Sequence, residues 1–301
     1  MRLLDTGNIQ RVDEFVCDTG RPPYAILSHV WEPGEEVSLR ELSEPANCAH
    51  KKGYRKTEQA CAMAAKNGFQ YVWIDTCCFE RGTSAELNEA INSMFRWYQE
   101  AAICYVFLAD LLPEGPGPGP ISELDFASSL SKCKWFTRGW TLQELIAPRG
   151  ILFFDQEWNF RGSKSDLCEL ISSITDIPRT LLNHEAELSE FTAARNMSWA
   201  AGRKTTRLED EAYCILGLFD VHMTLLYGEG RAAFIRLQET ILARTGDLSI
   251  LAWADEGEGH DGGHGHVPGY HHYTSRHPNG RPSSAPLRRP RSPPTVAEPP
   301  L

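Results

Sequence analysis

A carboxylate set among aromatic and cationic side chains is the most chemically capable feature of this sequence. It is Glu144, within Lys134–Pro148 (KWFTRGWTLQELIAP). Arg138 and Trp140 flank Gly139 just ahead of it. A carboxylate can stabilise positive charge that develops on a substrate. An Arg can pair with a phosphate, and a Trp can stack on a base or a ring. The same residues also suit a structural role. Thr141-x-x-Glu144 has the spacing of a capping box, in which the hydroxyl accepts from the amide three residues on and the Glu reaches back. Arg138 equally suits a pair with a carboxylate, and Trp140 a place in the core.

Other candidates stand at the ends of apolar runs. Ser28, His29 and Trp31 close YAILSHVW (Tyr24–Trp31), and Asp75 follows FQYVWI. Adjacent residues of a strand point to opposite faces, so Ser28 and His29 do not form a dyad by adjacency. His29 is either a packed, hydrogen-bonded His or points into a cleft from the strand end. Asp75 is either a cap for the following loop or a site carboxylate. Cys77 and Cys78 have no cationic neighbour in the sequence and read as buried thiols.

Phosphate-cradling loops are missing. There is no G-x-G-x-x-G after a strand and no G-x-x-x-x-G-K-S/T. Gly115–Gly119 alternates with Pro, which removes the amides such a cradle needs. His260, His264, His266, His271, His272 and His277 cluster near the end, but nothing there fixes a metal geometry. No metal or cofactor is expected.

The elements that must position these residues alternate between strand and helix. Strands are expected at Tyr24–Ser28, Phe69–Asp75, Ile103–Leu108 and Gly150–Phe154. Leu3-Leu4 and Val12–Val16 are possible short edge strands. Helices are expected at Lys56–Asn67, ending before Gly68, and at Ser84–Ala101 with Ser84 as cap. Pro148 ends a short helix that carries Glu144. This alternation predicts an α/β fold with a parallel sheet flanked by helices. Ligands in such sheets bind beyond the carboxyl ends of the strands. The segments to watch are therefore Ser28–Trp31, Asp75–Phe79, Ala109–Asp110 and Lys134–Pro148.

After Asp155 the pattern becomes helical. Ser163 or Ser165 would cap a helix to about Ile174, and Ser189–Ala201 would be another. Thr206-x-x-Glu209 repeats the capping-box spacing, and Arg231–Arg244 has a helical apolar stripe. Leu248–Trp253 reads as a last strand or an extended packing segment. Pro113–Pro120 reads as a surface loop. From Asp255 the chain is rich in Pro, Gly, Ser and His and reads as disordered. The divisions expected are 1–160 (α/β), 161–254 (a mostly helical subdomain) and 255–301 (a disordered tail).

The formal charge is −10. The tail holds five Arg and five acids, so the rest of the chain carries the whole excess. No basic face for nucleic acid is expected. Nine Cys are scattered without a C-x-x-C pair, and the N-terminus has no apolar signal region. No stretch is long and apolar enough for a membrane span. Reduced thiols in a cytoplasmic protein are the expectation.

Together YAILSHVW (Tyr24–Trp31), YVWIDTCCF (Tyr71–Phe79), the Ser84–Leu108 unit with Trp97–Ala101 (WYQEA) and RGWTLQELIAP (Arg138–Pro148) resemble the fungal heterokaryon-incompatibility (HET) domain. The segments Met197–Phe219 and Leu225–Glu239 resemble the helical region that often follows it. The resemblance runs in order over residues 1–254. It implies a role in fungal non-self recognition and programmed cell death, self-association, and a separate sensor or activator. HET domains are also similar to TIR domains. Trp140-Thr-Leu-Gln-Glu-Leu145 resembles the W-C-L-x-E-L motif that carries the catalytic glutamate of TIR NAD hydrolases, with Thr141 in place of the Cys. The resemblance therefore implies a TIR-like sheet, Glu144 as catalytic residue, and NAD⁺ as the possible substrate. Ser28, His29, Trp31, Asp75, Arg138 and Trp140 are the expected substrate contacts. The alternative is a non-catalytic oligomerising module.

Overall fold

The structure, a computed structural model, describes residues 1–16, 20–80, 82–113 and 123–251. The expected loop from residue 114 onward, the His cluster and the tail from Asp255 lie outside the described residues.

Seven strands form one sheet: β1 (Arg2–Asp5), β2 (Asn8–Glu14), β3 (Tyr24–His29), β4 (Tyr71–Trp73), β5 (Ile103–Phe107), β6 (Ile151–Phe154) and β7 (Phe160–Ser163). The first half carries helices α1 (Leu39–Leu42), α2 (Lys52–Lys66), α3 (Ser84–Glu100), α4 (Glu123–Ser131) and α5 (Thr141–Ile146). The second half carries α6 (Cys168–Thr175), α7 (Arg179–Leu182), α8 (Ala193–Ser198), α9 (Asp210–Tyr213) and α10 (Ala232–Thr245).

The strand order is β2-β1-β4-β3-β5-β6-β7. The four central strands are parallel, β4 and β5 on either side of β3 and β6 beside β5. Taken in chain order these four lie 2-1-3-4, the flavodoxin-like doubly wound arrangement. The chain passes from β3 to β4, then reverses across β3 to reach β5. Right-handed crossovers therefore put α2 on one face and α3 and α5 on the other. α3 and α5 pack against each other accordingly. In doubly wound sheets such a reversal is where a crevice opens, here at the carboxyl ends of β3 and β5.

The expected parallel sheet forms the centre of the fold, and antiparallel strands extend it at both margins. β1 and β2 form an antiparallel hairpin, and β1 is no edge strand: it lies between β2 and β4. β7 adds an antiparallel strand beside β6, in a segment expected to have turned helical. Its period is hidden because Phe160 faces out and Gly162, within the strand, has φ +139° beside an irregularity in the pairing with β6. Strand β4 is three residues long, less than half of the expected Phe69–Asp75, because the chain turns at Ile74, whose carbonyl accepts the amides of Cys77 and Cys78. The two cysteines sit in this turn. All eight described cysteines are free and buried.

Several expected caps do not form. Thr83, not Ser84, precedes α3, and its side chain makes no cap. Ser163 pairs with Asp166 in a local turn, and α6 begins only at Cys168. Glu209 does not cap its own helix, and instead accepts the amides of Gly228 and Gly230 at 2.7 and 3.0 Å. The last segment is a short 3₁₀ turn, Leu248–Leu251, instead of a strand. α2 starts four residues earlier than expected, and Gly68 follows it at φ +82°.

The helical second half closes over α3. Asn92 Nδ2 donates to the Met223 carbonyl at 2.9 Å, and Asn92 Oδ1 accepts the Met223 amide at 2.9 Å. The turn Leu216–Phe219 rests on α3 so closely that a Cβ on Gly217 would stand 2.1 Å from Phe95 Cβ. Because Phe95 Cβ is fixed to its helix, the two elements would have to separate. Gly217→Ala should therefore lower stability by about 1–3 kcal/mol, the usual range for overpacking. Urea unfolding checks this, and an unchanged midpoint would contradict the close approach.

Candidate functional site

Helix α5 owes its position to the segment before it. Gly139 donates its amide to the Lys204 carbonyl at 2.9 Å, and Lys204 donates to the Thr137 carbonyl at 2.7 Å. A Cβ at Gly139 would stand 2.5 Å from Thr205 Cγ2 and 3.0 Å from Cys214 Sγ. The glycine is therefore needed for this close approach. Trp140 is already helical, so Thr141 lies inside the first turn. Its hydroxyl donates back to the carbonyls of Trp135 and Arg138. The expected capping box does not form.

Glu144 is thereby released from a capping role and turns into the protein, with 5 % of its surface exposed. Ser28 Oγ donates to Glu144 Oε2. Trp135 Nε1 donates to the same Ser28 Oγ at 2.7 Å. Tyr98 from α3 also bonds Glu144 and donates to the Leu27 carbonyl at 3.1 Å. Burial pushes the Glu144 carboxyl up to about 8; the Ser28 bond opposes this, the charge of Asp75 adds to it, and Tyr98 and Arg138 oppose it. An acid buried without an ion pair holds its proton to higher pH because the charged form loses its hydration.

His29 follows Ser28 in β3 and points to the other face, as alternation requires. Its Nε2 stands 3.3 Å from Glu36 Oε2 and 3.9 Å from Asp75 Oδ1. Lys56 of α2 pairs with Glu36 at 2.8 Å. Burial would raise the Glu36 carboxyl, but His29 and Lys56 hold it down at about 2. Trp31 Nε1 donates to Asp75 Oδ2 at 2.8 Å. Asp75 thus stands between two groups, Glu144–Ser28–Tyr98 on the α3–α5 side and His29–Glu36–Lys56 on the α2 side. Both lie at the carboxyl ends of β3 and β4, beside the crevice.

Arg138 and Trp140 lie to one side of Glu144. Arg138 Nη1 donates to Thr206 Oγ1 at 3.2 Å. Trp140 hydrogen-bonds Asp210, which also accepts from Tyr227 at 2.9 Å. Arg203, unmarked in the sequence reading, reaches the Arg138 carbonyl at 3.0 Å and Thr141 Oγ1 at 3.1 Å. Its charge acts on Glu144 from the start of α5. At the other end of α5, Lys164 Nζ donates to the carbonyls of Leu145 and Pro148 at 3.3 and 2.6 Å. Burial lowers this ammonium to about 8. Tyr98, Trp135, Arg203 and Lys164 were all missed as site residues. Tyr98 and Trp135 did stand in segments singled out by their aromatic content, and Arg203 and Lys164 carried no such signal.

The fold and the site define a doubly wound α/β module that holds a protonatable acid at its switch point. Two comparisons narrow this. The family described as heterokaryon incompatibility protein (HET) matches residues 24–122. Vegetative incompatibility protein HET-E-1 of Podospora anserina is 43 % identical over 261 residues, covering 85 % of this chain and 19 % of that protein. The chain belongs to the fungal HET-domain proteins. It spans about a fifth of the length of the curated relative it matches. Ser28, His29, Trp31, Asp75 and Tyr98 fall within the family match, whereas Arg138, Trp140 and Glu144 lie beyond it. No solved structure matches the chain. Among the described residues no helix is long and apolar enough to cross a membrane.

Proposed function

We propose that the chain acts in heterokaryon incompatibility, in non-self recognition and programmed cell death, by cleaving NAD⁺ in the cytoplasm once it has self-associated under a separate sensor or activator. The family and the similarity to an incompatibility protein support the role. The observation that carries the chemistry is the orientation of Glu144: its side chain makes no cap and is held by Ser28 and Tyr98 beside the crevice. In the proposed reaction the bond between ribose C1′ and the pyridinium nitrogen breaks. Nicotinamide takes the electron pair and leaves neutral, so no general acid is required. Water adds to C1′ and releases a proton. The ionised Glu144 stabilises the oxocarbenium-like state, as carboxylates do in glycoside hydrolysis. Asp75, His29, Trp31, Arg138 and Trp140 are the proposed substrate contacts around it.

The depth of Glu144 favours a second reading, a non-catalytic module that signals by oligomerising. On the first reading, association opens the acid to substrate; on the second, the acid stays closed. NAD⁺ measured in cells expressing the chain separates them, comparing wild type with Glu144→Gln at matched protein levels. Rapid NAD⁺ loss confined to the wild type is expected. Cell death with NAD⁺ intact would rule out the hydrolase.

A further inference from the structure

A second cleft, of about 330 Å³, opens on the α2 side of the sheet at the carboxyl ends of β5 and β6. Its volume is near the lower end of the ~300–1,000 Å³ typical of ligand pockets. One helical stripe of α2 faces it, with Lys52, Arg55, Lys56 and Gln59 at i, i+3, i+4 and i+7. The opposite wall holds Phe107 and Trp158, whose rings stack at 4.9 Å and 23°.

Two features mark this wall as built for contact. Trp158 sits in the left-handed region at φ +62°, a conformation costly for a bulky residue. It is held there by the buried Asp155, whose carboxylate accepts the amides of Glu157 and Asn159 at 2.9 and 3.0 Å. The indole packs on Phe107 and Phe154 at the edge of the core and remains half-buried, lining the cleft. Across from it, Arg55 is exposed and has no ion-pair partner among the described residues. Lys52 is paired with Glu32 at 2.6 Å, an exposed pair that a ligand anion can replace. Glu157 is the second carboxylate on the rim.

We propose that this cleft binds a nucleoside phosphate, with the base stacked at Trp158 and the phosphates on Arg55 and Lys52. The volume suits one nucleotide and not a whole dinucleotide. The ligand is therefore either a free nucleotide or the adenylate half of NAD⁺. Lys56 lines the cleft and begins the chain Lys56–Glu36–His29–Asp75 that ends beside Glu144. Occupancy would thus act on the polar network of the first site. The binding proposal stands whether or not that site cleaves NAD⁺.

The test uses the full chain carrying Glu144→Gln, so that no turnover occurs, and ADP as the calorimetric probe. Saturable binding is expected. Arg55→Glu, an exposed change, should weaken it at least tenfold. Trp158→Gly relieves the backbone strain, so the fold should persist while affinity falls at least tenfold. Glu32→Gln frees Lys52 and should tighten binding a few-fold, which a purely structural role of the cleft does not predict. Absence of saturable binding at millimolar ADP, or equal affinities across the variants, would overturn the proposal. Competition by NAD⁺ assigns the cleft to the adenylate half. Simultaneous binding of both assigns it to a separate nucleotide.

Discussion

Glu144→Gln should be markedly more stable than wild type at about pH 9 and close to it near pH 4. The wild-type carboxyl titrates at about 8 in the folded protein against an ordinary 4.5. Between those values the unfolded chain has released its proton and the folded one has not. Each added pH unit then favours unfolding by about 1.4 kcal/mol. The contribution of the buried acid is fully present below the unfolded value and lost as pH rises to the folded one, on the order of 5 kcal/mol in all. Gln has no proton to lose, so its profile lacks this slope. Lys164 has the opposite sense, because its lowered value makes folding recover stability above about 8, but it is common to both proteins and cancels in the comparison. Urea unfolding at several pH values checks the difference, and parallel profiles would refute it. The same titration bears on the proposed cleavage. Near neutrality most of the acid is protonated, so kcat/KM should climb with pH and level off above about 8. A flat profile across that range would remove Glu144 from the chemistry.

How far this site was legible in the sequence depends on distance along the chain. The four central strands and helices α2 and α3 were readable because each is a local apolar pattern with local punctuation. Gly68 after α2 is one example. The divergence of Ser28 and His29 was also readable, since it follows from the pleat alone. The joining of Ser28 to Glu144 was not, because the two are 116 residues apart and meet only through the order of β3 and β5. The two capping-box spacings misled for one physical reason: neither Thr141 nor Thr206 occupies the capping position just before its helix, which Trp140 and Glu209 take instead. In the first case the close approach of Gly139 to Lys204 starts the helix earlier; in the second, α9 opens only at Asp210 and Glu209 is drawn to the Gly228–Gly230 turn. Gly139 was visible as a glycine between two large side chains, but the neighbours that exclude a Cβ there come from residues 204, 205 and 214.

Ser28→Ala should cost more than a surface hydroxyl and should also move the titration of Glu144. The hydroxyl accepts from the Trp135 indole and donates to the carboxyl, all three groups being buried. Removing it strands one donor and one acceptor where water cannot replace it. Each unsatisfied group costs about 1–3 kcal/mol, so a loss of roughly 2–5 kcal/mol is expected. The Ser28 bond is what most opposes the rise of the Glu144 carboxyl. Without it the steep part of the stability profile should extend further to alkaline pH. Low stability alone would not separate a bond to Glu144 from a general packing defect in β3, but a double-mutant cycle does. If the hydroxyl and the carboxyl are bonded, Ser28→Ala and Glu144→Gln will be non-additive, with a coupling of about 0.5–3 kcal/mol that grows as pH rises and the carboxylate forms. Additive losses with no pH dependence would mean that Ser28 merely fills space beneath α5, and the placement of the acid would then rest on Tyr98 and the Gly139 contact.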